Sequence, residues 1–385
     1  MPDKNMIQEL LMLDEIEEAE DQYKCAYGHM PFSLSTWNPS DYYRSTYLFN
    51  QIALPSCSDF IDYIYSYELD TQLLKSCSRH LTGLENATIT ITNSGTASIT
   101  LVTSVLSTLG LKRILVISPT YFSVLYSSRQ MGFELKELHM MRQQGAYRLP
   151  QEEILRVMNE IDVLWITNPT YNTSIYMEEN DQRFLLDYVL PNKYLVADEC
   201  FCQKGRELSR KFVEQPHFIG IYDTMKQFLI NGVKFSAIVH PAKLQDMFEQ
   251  WSDVVCGSLA SSTVQAMSFF ISKESDTLLQ AIQQADQTIQ KQVRAIISEF
   301  PHAALDRWVD GHMMMCCVPK LNADYLNTLE HFRTFQISTD ASIIPGTRFH
   351  FPNSYGFSFR INLARFDPIR FPRALERVLS YLVGF

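Results

Sequence analysis

Apolar and polar positions follow two rhythms along this chain. Near the N-terminus Met6, Ile7, Leu10, Leu11, Leu13 and Ile16 recur at helical spacing among acids, which predicts an amphipathic helix over residues 5–22. From residue 87 short β-rich runs end in turn residues and are separated by helix-length stretches. The runs are 87–95, 113–121, 162–170, 194–199, 218–223 and 235–241. Strands alternating with helices imply βαβ units, an α/β fold with a mostly parallel sheet and helices on both faces. Residues 262–300 read as a long helical stretch. After Pro301, MMMCCVPKL and GFSFRINLA read as strands and PRALERVLSYLVGF as a closing helix, a smaller α+β domain. The expected division is 1–50 as an N-terminal helix and arm joining the small domain, 51–280 as the large domain, and 281–385 as the C-terminal small domain.

Composition narrows the function. With 385 residues, 46% hydrophobic and 20% charged, the chain reads as globular rather than disordered. It carries 33 basic and 43 acidic residues, net −10, with no Lys/Arg block, so no nucleic-acid or anionic-membrane partner is expected. No apolar run is long enough to span a membrane, and the acidic N-terminus is not a signal peptide. The eight cysteines are scattered without C-x-x-C pairs, which argues for reduced thiols in a cytoplasmic protein and against a metal site.

In a parallel sheet ligands sit at the carboxyl ends of the strands. After the first run, Asn93-Ser94-Gly95-Thr96-Ala97 opens an apolar helical segment. Such a turn presents free N–H groups and the positive helix end to a phosphate, although serine and threonine also simply cap helices. After the fourth run stands Asp198, and Lys226 follows 28 residues later. A strand-end lysine can form a Schiff base with a carbonyl cofactor, and an acid can keep a pyridinium nitrogen protonated. A plain ion pair reads equally well from these two residues alone.

Six motifs in order resemble the fold-type I, aspartate-aminotransferase-like family of pyridoxal-phosphate enzymes, the class I and II aminotransferases. They are Pro119-Thr120-Tyr121, Asn168-Pro169-Thr170-Tyr171-Asn172-Thr173, Asp198-Glu199-Cys200-Phe201, Lys226 with Gly232 and Lys234, Pro345-Gly346-Thr347-Arg348-Phe349, and Arg360-Ile361-Asn362-Leu363-Ala364. The resemblance covers roughly residues 30–385 and makes the large domain the cofactor-binding one. It implies that Lys226 holds pyridoxal 5′-phosphate and shuttles the substrate proton, that Asp198 pairs with the ring nitrogen, and that Tyr121 stacks on the ring. Asn172, or Tyr171 if the loop has no insertion, would bond the ring's 3′ oxygen. Ser94, Gly95, Thr96 and Lys234 would hold the phosphate. Arg360 would clamp the substrate carboxylate, with Asn38 among the substrate contacts and Arg348 either a second clamp or a surface residue. Tyr65 resembles the tyrosine that reaches a neighbouring subunit's phosphate, implying a homodimer, although the usual glycine five residues on is Asp70.

Three departures bear on the reaction. Phe201 stands where a tyrosine hydroxyl usually bonds the cofactor, Lys234 replaces an arginine, and Asp223 replaces a phosphate-binding serine. A carboxylate beside a phosphate is repelled, so Asp223 is expected to point elsewhere, toward a cationic substrate group, with Thr224 supplying the hydroxyl. The reading implied is an aminotransferase acting between an amino acid and a 2-oxo acid. The alternatives are a pyridoxal-phosphate oxidase, cyclase or lyase acting on a basic amino acid such as arginine, and a non-catalytic effector-binding relative.

Overall fold

The computed structural model describes residues 14–48, 64–308 and 310–384. The N-terminal helix expected over 5–22 lies partly outside these. Its described part, α1, runs Asp14–Tyr27, with Asp14, Glu15 and Glu17 at the positive end and Lys24 in the last turn. It buries Ile16, Ala19 and Tyr23 and packs on the helix Leu329–Thr339.

All six predicted runs become strands of one seven-stranded sheet. In chain order these strands are β1 (Ile89–Thr92), β2 (Arg113–Ser118), β3 (Glu134–His139), β4 (Val163–Thr167), β5 (Tyr194–Asp198), β6 (Phe218–Asp223) and β7 (Ser236–Val239). The spatial order is β1-β7-β6-β5-β4-β2-β3, with β7 antiparallel to both neighbours and every other pair parallel. The central strands are buried along their length, so Val, Ile, Leu and Trp fill both faces. Helix α2 (Gly95–Thr108) covers one face; the Ser94 side chain caps it by accepting from the Ala97 N–H at 3.1 Å.

The long helical stretch is two helices. Ser261–Phe270 ends at Ile271, and α3 (Lys273–Ser298) restarts at Ser272, whose hydroxyl accepts from the Ser275 N–H. Beyond it, β8 (Met313–Val318) pairs antiparallel with β9 (Phe357–Asn362), placing Met315 opposite Arg360. The arm joins this region through Phe32–Ser33, which pairs with Ala341–Ser342. That pairing carries Ser35, Trp37 and Asn38 toward the strand ends of the large sheet.

Candidate active site

The carboxyl ends of β2, β4, β5 and β6 converge with the start of α2, and β9 approaches from the small sheet. Asp198 closes β5 and is 2% exposed; the Cys200 N–H donates to its Oδ1 at 3.1 Å. Burial raises its pKa, and the bonds from Cys200 and the charge of Lys226 do not offset this. A carboxylate so placed is stabilised by any cation that arrives beside it. The next residue, Glu199, is pushed up to about 7 by burial. It accepts from Asn168 Nδ2 (2.9 Å), the Leu208 N–H (2.8 Å) and the Tyr222 hydroxyl. Glu199 therefore ties the loop after β4 to the Asp198 strand and does not face substrate.

Lys226 opens the one-turn 3-10 segment Lys226–Phe228. Its Nζ lies 3.5 Å from Asp223 Oδ2 and 4.4 Å from the Phe201 ring centroid. Burial alone would lower its pKa, but Asp223, with lesser contributions from Cys200, Tyr171 and Asp198, raises it. Asp223 thus does not point away as the sequence implied. It is 5% exposed, and its Oδ2 lies 3.3 Å from where a Cβ on Gly95 would be. The same position is 3.0 Å from Cys200 Sγ, so a side chain there would have to displace Cys200 or Asp223. The expectation for Thr224 also fails: its hydroxyl donates to the Phe235 carbonyl at 3.2 Å and is not free for a phosphate. Lys234 stands two residues before β7, at the same end of the sheet, and is exposed. Ser94 and Thr96 flank Gly95 at the start of α2.

Arg360 on β9 is 1% exposed. Its Nε donates to the Ser35 carbonyl and its Nη1 to Asn172 Oδ1, both at 2.9 Å. Burial pulls its pKa down to about 10; Tyr171 opposes this, and among the described residues no carboxylate acts on it. Asn172 sits at φ +62° in the left-handed region, which asparagine tolerates, and its buried Nδ2 has no partner among the described residues. Tyr171 is buried against Phe201 and Phe349. Tyr121 and Tyr171, with ring centroids 6.0 Å apart, line a cleft of about 390 Å³ together with Arg360, Trp37 and Asn38. Asn38 also fixes the arm, its carbonyl accepting from Arg365 Nη1 at 2.8 Å. Tyr65 precedes a 3-10 turn, next to the bridge between Ile64 and Leu259, and stacks on Tyr67 at 5.3 Å. Asp70, in place of a glycine, caps the helix Thr71–Thr82 by accepting from the Leu73 N–H. Arg348 pairs with Glu15 at 2.8 Å and packs on Phe332, and its side chain is buried rather than on the surface.

Trp37 was missed in the sequence. It stacks on Phe201 at 4.9 Å and 11°, and the Arg360 guanidinium lies 4.2 Å from its ring centroid. It also lines the small cavity that holds Lys226, so it stands between the lysine and the arginine. An aromatic on an arm without regular structure gives no periodic signal.

Three features test the fit of pyridoxal phosphate. Asn172 Nδ2, unpartnered among the described residues, is a donor for a ring oxygen, the Asp198 carboxylate is buried where a cation would stabilise it, and Gly95 opens α2 at the positive end of its dipole, where an anion is favoured. The residues fit the cofactor, with Asp223 beside the phosphate cradle as the one discordant charge.

Solved structures share the fold. Thermus thermophilus aspartate aminotransferase matches with TM-score 0.76 at 15% identity, covering 96% of each chain. N-succinyldiaminopimelate aminotransferase from Mycobacterium tuberculosis matches at 0.74 and 16%, covering 95% of this chain and 96% of that one. The pyridoxal-phosphate-bound C–S lyase of Staphylococcus hominis matches at 0.70 and 15%, covering 84% and 86%. No curated protein sequence matches the chain. The family model for aminotransferase class I and II matches residues 50–378, and over that span the chain belongs to this family of pyridoxal-phosphate-dependent enzymes.

Proposed function

We propose that this enzyme moves an amino group between an amino acid and a 2-oxo acid, with pyridoxal phosphate held at Lys226. The observation that carries the reading is Arg360, a buried guanidinium on which no carboxylate of the described residues acts, facing the same aromatic cleft as Tyr121 and Tyr171. Its planar fork suits an α-carboxylate, and the bonds from Ser35 and Asn172 fix its plane. When bound, pyridoxal phosphate supplies the carbonyl that receives the amino group and a ring that accepts the electron pair left at Cα. Asp198 would accept from the protonated ring nitrogen and keep it protonated, Asn172 Nδ2 would donate to the ring oxygen, and Tyr121 would stack on the ring. Lys226 Nζ would take the proton from the substrate Cα and deliver it to the cofactor carbon that keeps the amino nitrogen, after which water would release the 2-oxo acid. Trp37 and Phe201, stacked on each other, would wall the side of the cleft next to Lys226. Mixing the cofactor-loaded enzyme with a panel of amino acids tests the reading. The expected result is release of a 2-oxo acid with an absorbance change that a second 2-oxo acid reverses; no release from any amino acid contradicts it.

A second observation favours a basic amino acid. Glu17 and Glu20 of α1 line the same cleft as Arg360. Arg348 pairs with Glu15, and Arg365, which donates to the Ser33 and Asn38 carbonyls, also acts on Glu20 by its charge, so Glu17 is the acid less compensated by these arginines. A substrate with its carboxylate on Arg360 and a cationic side chain toward these acids satisfies both ends. Arginine is one such substrate, and the oxidase, cyclase or lyase alternative uses the same cleft. Product formed without a 2-oxo acceptor, or oxygen uptake with arginine, favours that alternative. The homodimer is proposed on Tyr65 and is checked by sedimentation. A cytoplasmic location is proposed on the free thiols of the seven described cysteines. No described helix is long and apolar enough to cross a membrane.

A further inference from the structure

The Lys226 segment is not self-supporting. One 3-10 turn, Lys226–Phe228, ends at Leu229 in the left-handed region, φ +59°, which is unfavourable for a leucine. What fixes the turn is its middle residue, Gln227. The Gln227 Oε1 accepts from the Lys204 N–H at 2.9 Å and its Nε2 donates to the Thr224 carbonyl at 3.2 Å. The Gln227 carbonyl faces His312 Nε2 at 3.0 Å.

His312 lies immediately before β8, and its own carbonyl accepts from the Leu363 N–H just after β9, the strand of Arg360. Its Nδ1 is 2.6 Å from Asp286 Oδ2 on α3, and Asp286 is 0% exposed. The other Asp286 oxygen accepts from the Tyr43 hydroxyl, on the arm, at 3.0 Å. Nε2 faces a carbonyl that can only accept, and Nδ1 stands at ion-pair distance from the carboxyl group, without the alignment of a hydrogen bond. A neutral ring has one N–H, which the Gln227 carbonyl takes, so a second proton between Nδ1 and Asp286 turns this close approach into an attraction. Burial works against that charge, while Asp286, the Gln227 carbonyl and Asp310 favour it, and the net direction is upward. The other titratable groups around the pair are Tyr43 and Tyr47 from the arm and Arg206, which pairs with Asp310 at 2.9 Å.

We propose that His312, held as an imidazolium by Asp286, is a positioning residue for Lys226, pinning the Gln227 carbonyl and so fixing the lysine against the small sheet that carries Arg360. The proposal rests on the reading of Lys226 as the cofactor lysine. His312 touches neither cofactor nor substrate and acts through Gln227. If His312 or Asp286 loses its charge, the carbonyl loses a charge-assisted bond and the turn loosens. Lys226 Nζ then drifts from Asp223, the neighbour that favours its protonated form.

The test compares the cofactor-loaded enzyme with His312→Leu, His312→Gln, Asp286→Asn and Tyr43→Phe. It reads the pH midpoint of the bound cofactor's absorbance, the rate at which the stripped chain recaptures pyridoxal phosphate, and the thermal midpoint. Expected are recapture about tenfold slower and a lower pH midpoint in His312→Leu and Asp286→Asn. His312→Gln, which keeps a donor for the Gln227 carbonyl, recovers most of both. Tyr43→Phe, which leaves ring and carboxylate in place, loses about twofold and covers the case in which the harsher variants fail to fold. Unchanged recapture and pH midpoint in His312→Leu, or in Tyr43→Phe where only that variant folds, overturn the proposal whatever the thermal midpoint does. If the unmodified chain captures no cofactor at Lys226, the functional reading falls and takes this proposal with it; capture with indifferent variants overturns this proposal alone.

Discussion

Asp223 Oδ2 lies 3.5 Å from Lys226 Nζ, and the same oxygen borders the Gly95 position at the start of α2. On the proposed reading one carboxylate would do two things: favour the ammonium form of the lysine that has to react as a free amine, and repel a phosphate bound at the start of α2. Asp223→Ser removes both effects. The expected result is cofactor binding about tenfold tighter, ~1.4 kcal/mol, with faster capture near neutral pH. Equilibrium dialysis and a stopped-flow absorbance trace check this; unchanged or weaker binding would show that Asp223 faces a cation rather than the phosphate.

Arg360 makes two protein bonds and keeps the rest of its fork for a ligand. Arg360→Lys retains charge but not planarity. KM for the amino acid should rise about 100-fold, ~2.7 kcal/mol, with cofactor binding unchanged. Steady-state kinetics beside cofactor titration separates the two; a KM within threefold of the parent places the substrate carboxylate elsewhere.

Much of this was legible in the sequence because it is local. Apolar runs marked the five interior strands and the Ile/Thr run marked the edge strand β1, and the turn residues after them marked the ligand end. Strand β3, Glu134-Leu135-Lys136-Glu137-Leu138-His139, escaped notice because it lies at the sheet edge, where charged residues guard the unpaired backbone. Asp223 and Thr224 were misjudged because which of two neighbouring side chains turns inward depends on the Phe235 carbonyl beyond the strand. The His312–Asp286–Tyr43 contacts join residues far apart in the chain, and no periodicity announces such a meeting. Trp37 reaches the cleft only because Phe32–Ser33 pairs with Ala341–Ser342.

Glu17 is exposed and Glu20 half-buried, so each contributes modestly to attraction across the cleft. Changing both to glutamine should lower kcat/KM for arginine and lysine about fivefold and leave neutral amino acids unaffected. Equal losses for charged and neutral substrates would mean that α1 shapes the cleft without reading its charge.

His240 provides a pH-dependent stability term apart from the site. It is 3% exposed, stacks on Phe248 at 4.1 Å, and meets Thr90 Oγ1 at 2.9 Å. Burial holds its pKa down at about 4, against 6.5 for a free ring. The unfolded chain binds the proton first as pH falls. The stabilisation is therefore complete above pH 6.5 and is lost toward pH 4, about 3 kcal/mol in all. Urea unfolding at pH 7 and pH 5 should show a smaller loss in His240→Gln than in the parent; equal losses would assign the acid sensitivity to other groups.

The central claim is that Lys226, among all the lysines, carries the cofactor. Borohydride reduction of the pyridoxal-phosphate-loaded enzyme followed by peptide mapping tests it most directly. The account predicts one pyridoxyl-modified peptide, containing Lys226, and none from Lys226→Ala. Modification at another lysine, or scattered over many, would contradict it.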